Sequence, residues 1–337
     1  VVFTSNGTWV EGFKRWQIRR GDQQMKAIVC TKYGPPEVLE LQEVPKPTPK
    51  DDEVLMKVHA TSVTASDCIM RGLRAPFVYK VMIQVMMGFG KPRNPILGMV
   101  SSGVVESTGK RVTSFKPGDA VFAYGAMSPT KLRFGAYAEY MCLPEDWNLA
   151  LKPANVTFEE AAAIPYGASL AWYFVKEADI QPQQKVLIYG ASGSNGTMAI
   201  QFAKNAGAVV TVVCSGKNHE MVQSLGADKV IDYTCDDAVS QLEEYDLAFD
   251  AVGESKTSAL KTASKSALTP QGKYISVDNG TPSTGREDFL ILAELVEQGK
   301  LKPVIDRYFP LEEMVQAHKY VEQGHRVGNV VITVVQN

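Results

Sequence analysis

Tyr189-Gly190-Ala191-Ser192-Gly193-Ser194-Asn195-Gly196 follows the apolar run 185–188 and precedes a helix-like run over 197–206. Glycines at a strand-to-helix turn let backbone N–H groups and the helix N-terminus approach a pyrophosphate, where aligned peptide dipoles favour negative charge. Ala191 stands where the usual pattern has its first glycine, so the bare motif carries little by itself. Its context carries more: 209–214 reads as a second short apolar strand, and Gly207 is placed to end the intervening helix. The turn marks a dinucleotide site, with Ala191, Ser192, Gly193, Ser194, Asn195 and Gly196 as its phosphate contacts.

The second strand bears on which dinucleotide. An NAD site carries Asp or Glu about 20 residues after the glycines, where the carboxylate accepts from the ribose 2′-hydroxyl. Here that place reads Cys214-Ser215-Gly216-Lys217-Asn218, with no acid before Glu220. A hydroxyl and a lysine suit a 2′-phosphate, which a carboxylate would repel, so NADPH is the expected cofactor. The alternative is that Ser215 and Lys217 belong to an ordinary solvated loop.

Positioning such a site takes alternating strands and helices. Strand candidates at 185–189, 209–214, 229–232, 246–251 and 273–277 alternate with helical stretches, the signature of a parallel sheet wound by right-handed crossovers. Val252 and Val277 lie at the carboxyl ends of two of these strands, where open α/β folds bind ligands, and their backbone groups are expected to meet the nicotinamide end. Asp250 is expected to serve there too or to cap the next helix. From 25 to 149 the grammar differs: short strands broken by Pro and Gly form a β-rich unit. After a helix candidate near 288–298, the β-rich segment 329–334 is expected to return and complete that unit, leaving a cleft between the two.

Length and composition bound the partners. With 337 residues and 45% apolar content, the chain is long enough for two domains. A formal net charge of −2 and no long basic block argue against nucleic acid. Five cysteines form no CxxC pair, which favours a reducing, cytoplasmic setting. Residues 1–24 lack a continuous apolar core and are expected to be an extension preceding the first strand. The segment 77–89 is apolar but too short for a membrane span. Its Met82, Met86 and Met87 either line an adaptable pocket or pack against the domain. His59, His219, His318 and His325 lie at no ligand or catalytic spacing.

Several further segments belong together: Tyr33-Gly34-Pro35-Pro36-Glu37-Val38-Leu39, Ser66-Asp67 with Arg71-Gly72, Phe115-Lys116-Pro117-Gly118-Asp119, Gly135-Ala136-Tyr137-Ala138-Glu139-Tyr140, Glu160-Ala161-Ala162-Ala163-Ile164-Pro165-Tyr166, and Ile231-Asp232-Tyr233. With the glycine turn, they resemble the medium-chain dehydrogenase/reductase superfamily in its zinc-free quinone oxidoreductase branch, across 25–335. The resemblance implies an α/β protein with a GroES-like catalytic domain, 25–149 and 284–337, around a Rossmann domain, 150–283. It also implies a homodimer through the edge of the Rossmann sheet.

Zinc-dependent relatives place a cysteine where Thr64 stands and a histidine and glutamate after the position of Gly98. Here Gly98 is followed by Met99 and Val100, and neither supplies the imidazole or carboxylate that zinc needs. Those relatives also cluster cysteines for a structural zinc, whereas 69–141 contains none. No metal site is expected. Without a Lewis acid, the enzyme should favour quinones and α,β-unsaturated carbonyls, whose conjugation spreads the charge left by hydride addition.

The resemblance places Thr64 where many zinc-free relatives have an asparagine facing the substrate, and Tyr166 at the cleft. Both are candidate donors, unless Thr64 merely caps the turn before Asp67 and Tyr166 merely packs. Asp67 and Arg71 are expected to pair locally. Tyr233 matches the tyrosine beside the adenosine phosphate, or else covers the sheet edge. Asn329, expected at the cofactor site, stands where a lysine commonly precedes the final strand and so removes one positive charge there; Leu170 and Val100 are further departures. The expected activity is NADPH-dependent, metal-free reduction of a small-molecule quinone or enone, with neither nucleic acid nor membrane as partner. The alternatives are a 2-enoyl thioester reductase and an NADPH-binding scaffold or sensor with little turnover.

Overall fold

The computed structural model describes residues 23–253, 257–279 and 282–335. The expected extension over 1–24 lies outside them except for its last two residues, and Gln24 already opens the strand Gln24–Cys30.

Short runs of apolar, β-branched and aromatic residues favour strands buried on both faces. Five of them form a parallel sheet in the order Lys229–Asp232, Val209–Cys214, Lys185–Tyr189, Tyr245–Asp250, Leu268–Ser276. The fifth starts well before the expected residue 273, because Leu268 already pairs with Tyr245 ahead of a register shift. Val186 and Ile188 enter one apolar cluster while Leu187 enters another, as alternating side chains must when both faces are covered.

A second sheet has seven strands. Its path runs Ile305–Pro310, Asn329–Thr333, Glu53–Val63, Val100–Thr108, Ala120–Tyr124, Asn148–Leu151, with Tyr140–Pro144 paired to Glu53–Val63. The late segment does return: Val330 to Thr333 pair antiparallel with Val63 to Ala60. The protein is therefore of the expected α/β class, a Rossmann-like parallel sheet joined to a GroES-like β-rich unit.

One buried cluster crosses between the sheets, from Ile188 and Phe249 through Phe174 and Ile164 of the intervening helical segment to Met99, Val100 and Phe122. Phe122 meets Phe289 of the helix Arg286–Glu297 at 4.8 Å between ring centroids. This shared core fixes the two units against each other, and the site lies where they meet. Among the described residues no helix is long and apolar enough to cross a membrane.

Candidate functional site at the junction of the sheets

Lys185–Tyr189 runs into Gly190, whose φ of 79° is left-handed and suits glycine. The helix Ser194–Asn205 starts three residues earlier than the apolar pattern alone suggests, with Gly193 as N-cap and no side-chain cap. Its first N–H groups are thus left for an anionic ligand. A Cβ on Gly196 would lie 2.6 Å from Ala191 Cα and closer still to Gly190 O, so only glycine lets the helix sit this near the strand end. The side-chain oxygen of Asn195 is buried with no partner among the described residues. Open N–H groups and a close backbone approach fit the cradle a pyrophosphate requires.

Asn329 closes this turn from the other sheet. Ser194 Oγ donates to Asn329 Oδ1 at 2.7 Å, Asn329 Nδ2 donates to Val304 O at 3.1 Å, and Gly193 bridges to Gly328. Asn329 therefore fastens the turn to the last strand. Val252 packs over Gly190, and the turn carrying it is held by Asp250 Oδ1, which accepts from Val252 N at 3.0 Å and Gly253 N at 3.2 Å. Asp250 does not cap the next helix, Ala259–Ser266, whose cap is Ser258. The Val277 N–H is itself engaged, donating to Asp250 O.

At the adenosine end, Ser215 precedes the short turn Gly216–Asn218, with Lys217 and Tyr233 both exposed. Asp232 joins them, a residue the local sequence window misses because it arrives by strand register, opposite Cys214. Its Oδ1 accepts from Thr234 N at 2.9 Å and Thr234 Oγ1 at 2.7 Å, bonds that hold its carboxyl below the usual range. The other oxygen sits against Gly216.

Between the sheets lies a cavity of about 230 Å³. Six methionines line it, Met70, Met82, Met86, Met87, Met99 and Met127, giving a deformable apolar wall. Its polar wall includes Ser66, Tyr124 and Ser169, and the Ser169 hydroxyl finds no partner among the described residues. Behind Ser66 stands Tyr166, with its hydroxyl 3.2 Å from Ser66 Oγ and its ring edge-on to Tyr124. Burial pushes the Tyr166 phenol up, so it remains a proton donor at ordinary pH. Ser66, which sequence reasoning passes over, is the cavity hydroxyl that Tyr166 meets.

For Thr64 the structure takes the capping alternative, and the Asp67–Arg71 pairing is corrected. Thr64 is the N-cap of the helix Ala65–Gly72 and forms a capping box: its hydroxyl donates to Asp67 Oδ2 at 2.6 Å and accepts from Asp67 N at 3.2 Å. That hydroxyl is already committed and is a poor donor for a substrate. Asp67 and Arg71 do not pair with each other, because the cap takes the carboxylate while Arg71 meets Glu322 and Gly34 O.

Burial raises the Asp67 carboxyl to about 6, against the pull of its Thr64 hydrogen bonds. A carboxyl raised in the folded state binds protons more readily there than when unfolded, so this contribution to stability grows as pH falls. From about pH 7 to about pH 5 the wild type should gain about 1 kcal/mol of unfolding free energy relative to Asp67→Asn. Parallel pH–stability curves from chemical denaturation would contradict this.

Met99 and Val100 are buried in the core, and among the described residues no group of three or more His, Cys, Asp or Glu side chains is placed to hold a metal ion. Residues 50–154 match the family model for the alcohol dehydrogenase GroES-like domain, and 196–301 and 279–332 match zinc-binding dehydrogenase models. A mitochondrial NAD(P)H oxidoreductase of Mus musculus is 35% identical, over 92% of this chain and 89% of that relative. The chain belongs to the medium-chain dehydrogenase/reductase superfamily. A chloroplastic NADPH-dependent alkenal/one oxidoreductase of Arabidopsis thaliana is 31% identical, over 92% of this chain and 80% of its own length. The solved quinone oxidoreductase of Coxiella burnetii aligns with a TM-score of 0.76 at 28% identity, covering 93% of this chain and all of that one. The protein is an oxidoreductase of that superfamily, in the quinone oxidoreductase branch.

Proposed function

We propose that the protein is an NADPH-dependent reductase of quinones or α,β-unsaturated carbonyls that works without a metal. The observation that carries this reading is the methionine-walled cavity with the Ser66–Tyr166 hydroxyl pair at its polar side. The cofactor, when bound, supplies a hydride. The turn 191–196 holds its pyrophosphate, and Ser215, Lys217 and Tyr233 hold the adenosine phosphate. Val252 and Val277 flank the nicotinamide end. The thioether walls exclude water and grip a flat apolar acceptor. Ser66 donates to the acceptor oxygen as negative charge develops there, and Tyr166 orients that donor and relays the proton that completes the two-electron reduction. The relatives named for NAD(P)H, alkenal and quinone chemistry support the same assignment.

A zinc-type mechanism would need ligands where Thr64, Met99 and Val100 stand, and none of these suits the ion. Metal-analysed protein should oxidise NADPH with benzoquinones and enones but not with simple aldehydes. In the same assay Lys217→Ala should raise the KM for NADPH about tenfold and leave that for NADH unchanged. Turnover of aldehydes alone, together with stoichiometric zinc, would overturn the reading; equal effects on both cofactors would remove Lys217 from the phosphate site.

A further inference from the structure

The helix Phe77–Met87 is apolar nearly all round, with Lys80 and Gln84 its strongly polar positions. Such a helix is ordinarily buried or set against lipid. Here its inner face, Ile83, Met86 and Met87, closes the cavity, while Phe77 is 80%, Val78 75% and Val85 53% exposed, and Phe89 just beyond is 67% exposed. Val78, Met82 and Val85 follow one another at helical spacing and form an outward stripe, and exposed Phe89 lies just past the Gly88 cap that ends the helix. Met82 is part of both surfaces: it is 44% exposed and also lines the cavity.

Charge identifies what this stripe would meet. From residue 68 to residue 105 there is no Asp or Glu, whereas Arg71, Arg74, Lys80, Lys91 and Arg93 fall in that interval. Arg71 is buried and Arg74 shares Glu322, so the basic flank is Lys80 on the helix and Arg93 just beyond its end, both exposed. An exposed apolar stripe flanked by cations of one sign, with aromatic Phe77, Tyr79 and Phe89 along it, has the composition of a segment lying in the headgroup region of an anionic bilayer. The segment is too short to span a bilayer, but a helix lying in the interface plane does not need that length.

We infer that the helix Phe77–Met87 docks the protein on an anionic phospholipid surface, so that an apolar acceptor dissolved in the bilayer reaches the cavity past Met82. The access half of this inference rests on the reductase reading; the docking half does not.

The test uses the full chain in co-sedimentation with vesicles of phosphatidylcholine alone or mixed with phosphatidylglycerol, without substrate. The wild type should bind the mixed vesicles, less so as salt is raised. Val78→Glu with Val85→Glu should weaken that binding about tenfold or more, with an unchanged melting temperature and unchanged turnover of a water-soluble enone. Should the double variant misfold, Lys80→Glu alone should still weaken binding about fivefold. The inference is overturned if the wild type ignores anionic vesicles or if neither variant changes its binding. It is equally overturned if the wild type forms a dimer that the double variant dissolves while vesicles have no effect, which would give the face to a second copy. Because binding is scored without turnover, failure of the reductase reading would show separately, as inactivity toward every acceptor.

Discussion

Gly196→Val is expected to abolish measurable NADPH binding while leaving a folded, less stable protein. The added atoms would meet backbone, Gly190 O and Ala191 Cα, and no side-chain rotamer can relieve that contact. The helix Ser194–Asn205 must then lift from the strand end. Overpacking of this kind costs about 1–3 kcal/mol of stability. The binding effect is larger, because the same shift moves several N–H groups off the pyrophosphate together, and a displacement of about 1 Å in such a preorganised contact costs about a hundredfold. Gly193→Ala is the control: a Cβ there meets only Gly190 O at 3.6 Å, so the fold should be unaffected. NADPH fluorescence titration beside a melting curve separates the two effects. A folded Gly196→Val variant with wild-type affinity would remove the turn from the cofactor site.

The parallel sheet is legible in the sequence because most of its strands are short apolar runs separated by helical stretches, and the turn is legible because its glycines sit between a strand and a helix. What escapes is decided by register and by capping. Asp232 reaches the adenosine loop only through its pairing opposite Cys214. Arg71 finds Glu322 at the far end of the chain, which no local window contains. The fifth strand begins early because pairing through a bulge replaces the periodicity that would announce it. Thr64 is a different case. Thr-x-x-Asp is the form of a capping box, and weighing that signal first moves attention from Thr64 to Ser66, two residues on, which the cap orients along the cavity.

Ser66→Ala tests that shift directly and should lower kcat about a hundredfold, the usual loss when one preorganised donor to a developing oxyanion is removed. The apolar cavity excludes competing water, and the other hydroxyls that line it, Tyr124 and Ser169, lack the Tyr166 hydrogen bond that orients Ser66. Tyr166→Phe should cost less, about tenfold, because Ser66 still faces the acceptor and loses only the partner that orients it and passes it a proton. If the two act as one unit, the double variant is no slower than Ser66→Ala alone, whereas independent donors would multiply their losses. NADPH affinity should be unchanged in all three variants, since neither hydroxyl contacts the glycine turn. Thr64→Val should lower the melting temperature through loss of the cap, about 1 kcal/mol, with kcat little changed. A Thr64→Val variant that folds as the wild type does but is a hundredfold slower, beside a fully active Ser66→Ala, would return the donor role to Thr64.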